Sequence, residues 1–273
     1  MFYRIFLNSI ILKQAITKTI LLVLLANSFC LKVTGQNKYN LKQYGSEAID
    51  LIKQPSNWRT DDYLKLSLIL GGTYALMQID ETIREEMLKD RSFVGSIPLE
   101  IGRYWGEPIT SLSLGSIFLI HGFMRNNEPN KKLGFEIIQS FTYTIGITSF
   151  IKIAFGRARP DISAKAFDFQ PIQFKSSKFW ALPSGHTSSA FSFSTVLAAN
   201  IDSDIGKVLV FIPPFITAFS RVYYNRHWVS DVFIGAVLGY FIGKFVTDLH
   251  EENEFNSNTG KPPDPVLSIS IPF

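Results

Sequence analysis

The chain has one cysteine in 273 residues, Cys30, and it lies in the N-terminal segment. A chain trimmed after that segment has no disulfide, no free thiol and no cysteine-ligated metal. Repeats and low-complexity blocks are missing, which excludes solenoid and fibrous architectures. No basic stretch is interleaved with aromatic residues, so nucleic acid is not an expected partner. Clean apolar runs of about 20 residues, the length a spanning helix needs, are also scarce. Residues 133–155 are long enough but carry Glu136, Gln139 and Lys152; residues 188–201 are short and rich in serine. Strand-like alternation occurs only at 266–273.

What is present is apolar and mildly basic. Hydrophobic residues make up 46%, with 24 Phe, and mean hydropathy is +0.14. That is low for a chain mostly immersed in lipid and high for an ordinary soluble enzyme. A net charge of +4 suits anionic substrates or anionic lipid surfaces. At the N-terminus, Arg4, Lys13 and Lys18 precede the apolar run 20–26, and Val33-Thr34-Gly35 offers a cleavage site. Residues 1–35 therefore read as an export signal, with a retained anchor as the alternative.

Helical patterns fill the rest, giving an all-α bundle of about six helices. Residues 46–53 are weakly amphipathic. Residues 64–79 read as a helix that the charged stretch 80–91 continues into water. Apolar helices follow at 109–124, 133–155, 188–201, 208–223 and 229–247, with Pro213-Pro214 kinking the fourth of these. Gly235, Gly239 and Gly243 recur every fourth residue, a stripe for close helix packing. This divides the chain into the signal or anchor, a helical extension at 36–106, a core at 107–249 and a tail at 250–273.

Three polar runs interrupt the apolar pattern. The first is Lys152-Ile-Ala-Phe-Gly-Arg-Ala-Arg159-Pro160, the second Pro183-Ser-Gly-His186; the third has Ser220-Arg221, His227 and Asp231. Phosphoryl transfer needs fixed positive charge around three oxygens, an in-line nucleophile and a leaving group that receives a proton. Lys152, Arg159 and Arg221 supply the charge. Arg157 either joins them or points away to solvent or headgroups. Ser184 and Gly185 precede a helix start, where backbone N–H groups favour an anion. His227 and Asp231, four apart, share one helical face, so the carboxylate can fix the imidazole tautomer. That leaves the other ring nitrogen free to attack phosphorus, with His186 as the acid. Each residue alone has a plainer reading, such as a snorkelling Lys152 or a structural His227–Asp231 pair. His121 and His250 match none of the runs and read as structural or exposed.

The three runs together resemble the signature of the PAP2 superfamily, the type 2 phosphatidic acid phosphatases and vanadium-dependent haloperoxidases. That signature is Lys, six residues, Arg-Pro; then Pro-Ser-Gly-His; then Ser-Arg, five residues, His, three residues, Asp. The resemblance covers about residues 133–244 and every signature position is matched. It implies a PAP2-like helical core, with His227 as nucleophile, Asp231 as its partner and His186 as acid. Lys152, Arg159, Ser184, Gly185 and Arg221 would bind phosphate, with no metal and no cofactor. The implied substrate is a lipid phosphate or diphosphate: polyprenyl diphosphate, phosphatidylglycerophosphate, phosphatidic acid or a lipid A phosphate. The alternatives are a soluble exported acid phosphatase, a vanadate-dependent haloperoxidase and a non-catalytic membrane protein.

All three motifs must meet at one end of the bundle. Keeping the basic loop Arg125–Lys132 in the cytoplasm, as the positive-inside rule prefers, puts that end outside. The expectation is an inner-membrane protein of a bacterial envelope whose site faces the periplasm, with a soluble periplasmic enzyme as the alternative. Nothing in the pattern specifies an oligomeric state.

Overall fold

Proline marks four of the ten α-helix starts among the described residues. It removes only a backbone N–H that a first turn leaves unpaired, and its φ is already helical. In the computed structural model, residues 39–259 are described, with side chains to residue 252. The expected export segment with Cys30 and the strand-like stretch at 266–273 lie outside the described residues. By internal packing the chain divides into Met1–Tyr44 and Gly45–Phe273; everything below concerns the second unit.

The helices are α1 (Leu41–Lys53), α2 (Thr60–Met77), α3 (Asp80–Lys89), α4 (Ile97–Trp105), α5 (Pro108–Arg125), α6 (Glu128–Phe155), α7 (Gly185–Ala199), α8 (Asp204–Leu209), α9 (Ile212–Tyr223) and α10 (Val229–Thr259). Proline stands in the first turn of α4, α5, α6 and α9. No strand occurs among the described residues, only a single bridge between Arg157 and Phe169. The architecture of the described residues is all-α, as expected, with more numerous helices.

Three differences matter. The stretch 64–91 is not one helix: α2 ends at Met77, and α3 starts afresh at Asp80, which is buried. Pro213-Pro214 does not kink a helix in mid-course; it opens α9, after the short α8. Helix α4 had no counterpart in the sequence reading, because nine residues give too little periodicity to separate it from the neighbouring apolar segments.

The inner helix α7 packs along α10, and the glycine stripe is the seam. A Cβ on Gly235 would lie 2.8 Å from Ser184 O, on Gly239 2.1 Å from Ser188 O, and on Gly243 2.8 Å from Ser192 O. No larger residue fits there. Ile137, Phe193 and Val196 form the adjoining core, with Trp105, Leu114, Phe118, Leu133 and Leu197 around them. Among the described residues, three segments are long and apolar enough to cross a membrane: Glu128–Phe155, Asp204–Tyr223 and Val229–Glu252. Large apolar side chains such as Phe150, Val208 and Phe215 are exposed along their outer faces.

The loop between α6 and α7 folds back tightly. Gly156 ends α6 with φ +59°, and a Cβ there would sit 1.6 Å from Gln170 O, so the turn requires glycine. Ala158 N donates to Asp168 O (2.8 Å), Ala181 N to Arg157 O (3.0 Å) and Trp228 Nε1 to Ala158 O (2.9 Å). Buried Ala166, Ala181 and Trp228 close a small core beneath this loop. Of the two unmatched histidines, His121 is exposed, with its Nδ1 2.7 Å from Asn130 Nδ2. His250 is buried between Glu136 (3.2 Å) and Glu47 (3.1 Å). It lies about 28 Å along α10 from Asp231, at about 1.5 Å per residue.

Candidate active site

The ends of α6, α7, α9 and α10 converge, and they bring the three motifs together. A cavity of about 560 Å³ opens there, and its walls include Arg159, His186, Arg221 and His227. Helix α9 ends in Tyr223, and the turn that follows is held by Arg226 N and His227 N, both donating to Arg221 O (3.0 and 3.2 Å). That turn fixes Arg221 and His227 as neighbours. His227 is almost completely buried.

Asp231, in the first turn of α10, stands behind His227. Its Oδ2 accepts from Trp228 N (2.9 Å) and lies 3.6 Å from His227 Nδ1. Nδ1 has no hydrogen-bond partner in the protein, so the carboxylate faces it at slightly more than bonding distance. Burial, followed by the charges of Lys152, Arg159, His186 and Arg221, holds His227 well below the usual histidine range. The ring is therefore neutral, with Nε2 the nitrogen left to the cavity side.

Ser184 caps α7, and its N–H donates to Asp231 O (2.9 Å), which ties the second motif to the third. Its Oγ accepts from Thr187 Oγ1 (2.9 Å). Gly185 begins α7, with Lys152 Cε 3.7 Å from where a Cβ would be. Lys152 itself is not in the cavity wall. It donates to Trp180 O (2.8 Å) and to Pro183 O, so it braces the loop from beneath. Arg159 donates through Nε to Ser177 O (3.0 Å), and burial lowers its pKa. Arg221 is buried, and its Nη2 has no hydrogen-bond partner in the protein. An unsatisfied buried guanidinium donor costs about 1–3 kcal/mol or more, and an anion's oxygen in the cavity removes that cost.

Arg157 does not join the phosphate cations, nor does it reach solvent. It is fully buried and pairs with Asp231 Oδ1 (2.7 Å) and Asp80 Oδ2 (2.8 Å). Charge balance explains this position, because a buried guanidinium needs carboxylates around it.

The cavity also has a wall that the motifs did not reveal. Arg91, Glu100, Arg103, Glu107, Tyr224 and Arg226 complete it. Glu107, between α4 and α5, places Oε1 3.4 Å from His186 Nε2 and 3.4 Å from Arg103 Nη1. The bond to His186 is the main cause holding Glu107 below the usual carboxylate range. Burial lowers the His186 pKa while Glu107 opposes that shift, so the proton on His186 depends on Glu107. Nothing at the sequence level marked Glu107, because its partner is 79 residues away and in no shared motif. Among the described residues, no group of three or more His, Cys, Asp or Glu could hold a metal ion.

Residues 134–255 match the family model described as the PAP2 superfamily. A PA-phosphatase related-family protein of Dictyostelium discoideum is 26% identical over 174 residues, which cover 58% of this chain and 64% of that protein. The lipid A 1-phosphatase of Porphyromonas gingivalis is 33% identical over 109 residues, 38% of this chain and 21% of that one. The chain thus spans less than two thirds of these curated relatives. The crystal structure of a transmembrane PAP2 type phosphatidylglycerolphosphate phosphatase from Bacillus subtilis shares the fold. Its TM-score is 0.54 at 21% identity, covering 69% of this chain and 94% of that one. Residues 134–255 thus resemble the PAP2 superfamily, the fold is shared with a transmembrane PAP2 type phosphatase, and the three motifs meet in order at one cavity.

Proposed function

We propose that the chain is a metal-independent phosphatase acting on a lipid phosphate or diphosphate through a phosphohistidine. The carrying observation is the cavity itself: Arg159, His186, Arg221 and His227 share its wall, and a buried Arg221 donor is unsatisfied. In the first step His227 Nε2 attacks phosphorus. The N–P bond forms as the ester P–O bond breaks, and His186 gives its proton to the departing oxygen. In the second step His186 takes a proton from water, whose oxygen attacks phosphorus. The N–P bond breaks, inorganic phosphate leaves and both histidines return to their starting states. Arg159 and Arg221 neutralise the phosphoryl oxygens, and Asp231 stabilises the positive charge on the His227 ring during attack. Lys152, Ser184 and Gly185 shape the phosphate cradle from below.

The membrane supports the choice of a lipid. Three segments can cross a bilayer, and the cavity lies at one end of them. The proposed substrates are polyprenyl diphosphate, phosphatidylglycerophosphate, phosphatidic acid or a lipid A phosphate. The proposed location is an inner membrane of a bacterial envelope, with the cavity facing the periplasm. Phosphate release by the purified protein should be measured across these lipids, beside a soluble ester. Release should be fastest from a lipid, survive EDTA, fall with vanadate as a mimic of the trigonal-bipyramidal transition state, and vanish in His227→Ala. Loss of activity in EDTA, restored by a divalent ion, would overturn the metal-free mechanism. Preference for the soluble ester would overturn the lipid assignment.

A further inference from the structure

We propose that Asp80, which lies outside the three motifs, is a positioning residue for His227, acting through Arg157 and Asp231. The proposal rests on His227 as the nucleophile. Asp80 opens α3 and is almost fully buried, although the stretch around it is charged and mostly exposed. Its Oδ1 accepts from Ser230 N (3.0 Å), and its Oδ2 meets both Ser230 Oγ and Arg157 Nη2. Arg157 is held at every face of its guanidinium. Nε donates to Ala166 O (2.9 Å), Nη1 to Ser230 Oγ (2.7 Å) and to Asp231 Oδ1 (2.7 Å), and Nη2 to Asp80. Asp231 then turns its other oxygen toward His227 Nδ1.

Charge makes this arrangement functional as well as structural. One guanidinium lies between two carboxylates, so the buried set carries one net negative charge. If Asp80 were neutral, Arg157 would cancel Asp231, and the partner of His227 would be electrostatically spent. With Asp80 ionised, Arg157 is balanced from its far side. Asp231 keeps a full charge for the imidazole as it becomes positive during attack. A device built only for stability would not need that surplus, since a neutral pair is less costly to bury.

The test reads His227 nucleophilicity directly, without any phosphate ester. Full-length protein in detergent is treated with diethyl pyrocarbonate. Neutral imidazole attacks its carbonyl, forming the N–C bond and expelling ethyl carbonate. Mass spectrometry follows modification of His227, with exposed His121 as the internal reference. Asp80→Asn should slow His227 about tenfold relative to His121, a barrier change of about 1.4 kcal/mol. Asp80→Asn combined with Arg157→Gln restores the single surplus negative charge and should recover part of that rate. In parallel, Asp80→Asn should lower kcat for a lipid phosphate and leave KM nearly unchanged. An unchanged His227 to His121 ratio in folded Asp80→Asn would overturn the proposal. If that variant does not fold, the double variant decides: a His227 rate tenfold or more below the wild type, despite the restored charge, overturns it. A slowed His227 in a chain that hydrolyses no ester would refute the phosphatase reading and leave the Asp80 coupling standing.

Discussion

His227 and His186 carry opposite requirements. In their proposed roles, His227 must be neutral as nucleophile and His186 protonated as acid. Both have pKa values lowered from the ordinary 6.5, His227 by burial first and then by the facing cations, His186 by burial against the pull of Glu107. Competence is lost as pH falls through the His227 value and as it rises through the His186 value. Both limbs therefore lie on the acid side, and kcat/KM for an alkyl phosphate should peak below pH 6.5. Glu107→Gln should move the basic limb further toward acid and leave the acidic limb in place. A peak above pH 7 in the wild type would contradict these assignments. The convergence of the motif residues on one cavity was legible from sequence because the proposed chemistry demands those residue types at fixed spacings. Glu107 and Asp80 were not, because each meets its partner across a long stretch of chain, and an isolated acidic residue before a helix looks like ordinary capping. Arg157 was legible as a cation but not as a buried one, since its burial depends on Asp80.

At the scale of elements, the glycine stripe was legible and its partner was not. Spacing alone says that one face of α10 is small. The structure adds that α7 lies against it with Ser184, Ser188 and Ser192, one small residue opposite each glycine. Enclosure by α6, α9 and α10 explains how a serine-rich helix too short to read as a span can be buried from Thr187 to Val196. Gly239→Ala places a Cβ 2.1 Å from the Ser188 carbonyl oxygen, so the two backbones must part. Overpacking of this kind costs about 1–3 kcal/mol. Thermal unfolding in detergent should show a lowered midpoint for Gly239→Ala. Gly146→Ala, with open space at its Cβ, should leave the midpoint nearly unchanged. Equal midpoints for Gly239→Ala and the wild type would mean that the seam is not tight. The break between α2 and α3 escaped the periodicity because charge and apolarity alternate smoothly across it. Only the burial of Asp80 gives the chain a reason to restart there.

For the whole molecule, the direction of insertion follows from two ends of one helix. α6 begins beside Lys131 and Lys132 and reaches Lys152 about 36 Å later, at about 1.5 Å per residue. That exceeds a hydrocarbon core of about 30 Å. If the basic end stays in the cytoplasm, Ser176 in the cavity loop should be outside and Asn258 inside. Single cysteines at these positions, in a Cys30→Ser background, report this with a membrane-impermeant thiol reagent in cells with a permeabilised outer layer. Labelling at Ser176 alone is expected. Labelling at Asn258 alone would invert the orientation, and labelling at both, with release of the protein on lysis, would indicate the soluble exported enzyme.

The wall formed by Arg91, Glu100, Arg103 and Glu107 has a consequence for heredity. The cavity is assembled from two separate stretches of chain: the residues proposed to contact phosphate lie within 134–255, and this wall lies before them. A recombination or a run of mutations upstream can therefore remodel one side of the cavity while His186, Arg221 and His227 themselves pass unaltered to the next generation. Grafting residues 91–107 from a relative should transplant its headgroup preference. A fragment trimmed to 134–255 would lose Glu107, which faces His186, and Asp80, which pairs with Arg157.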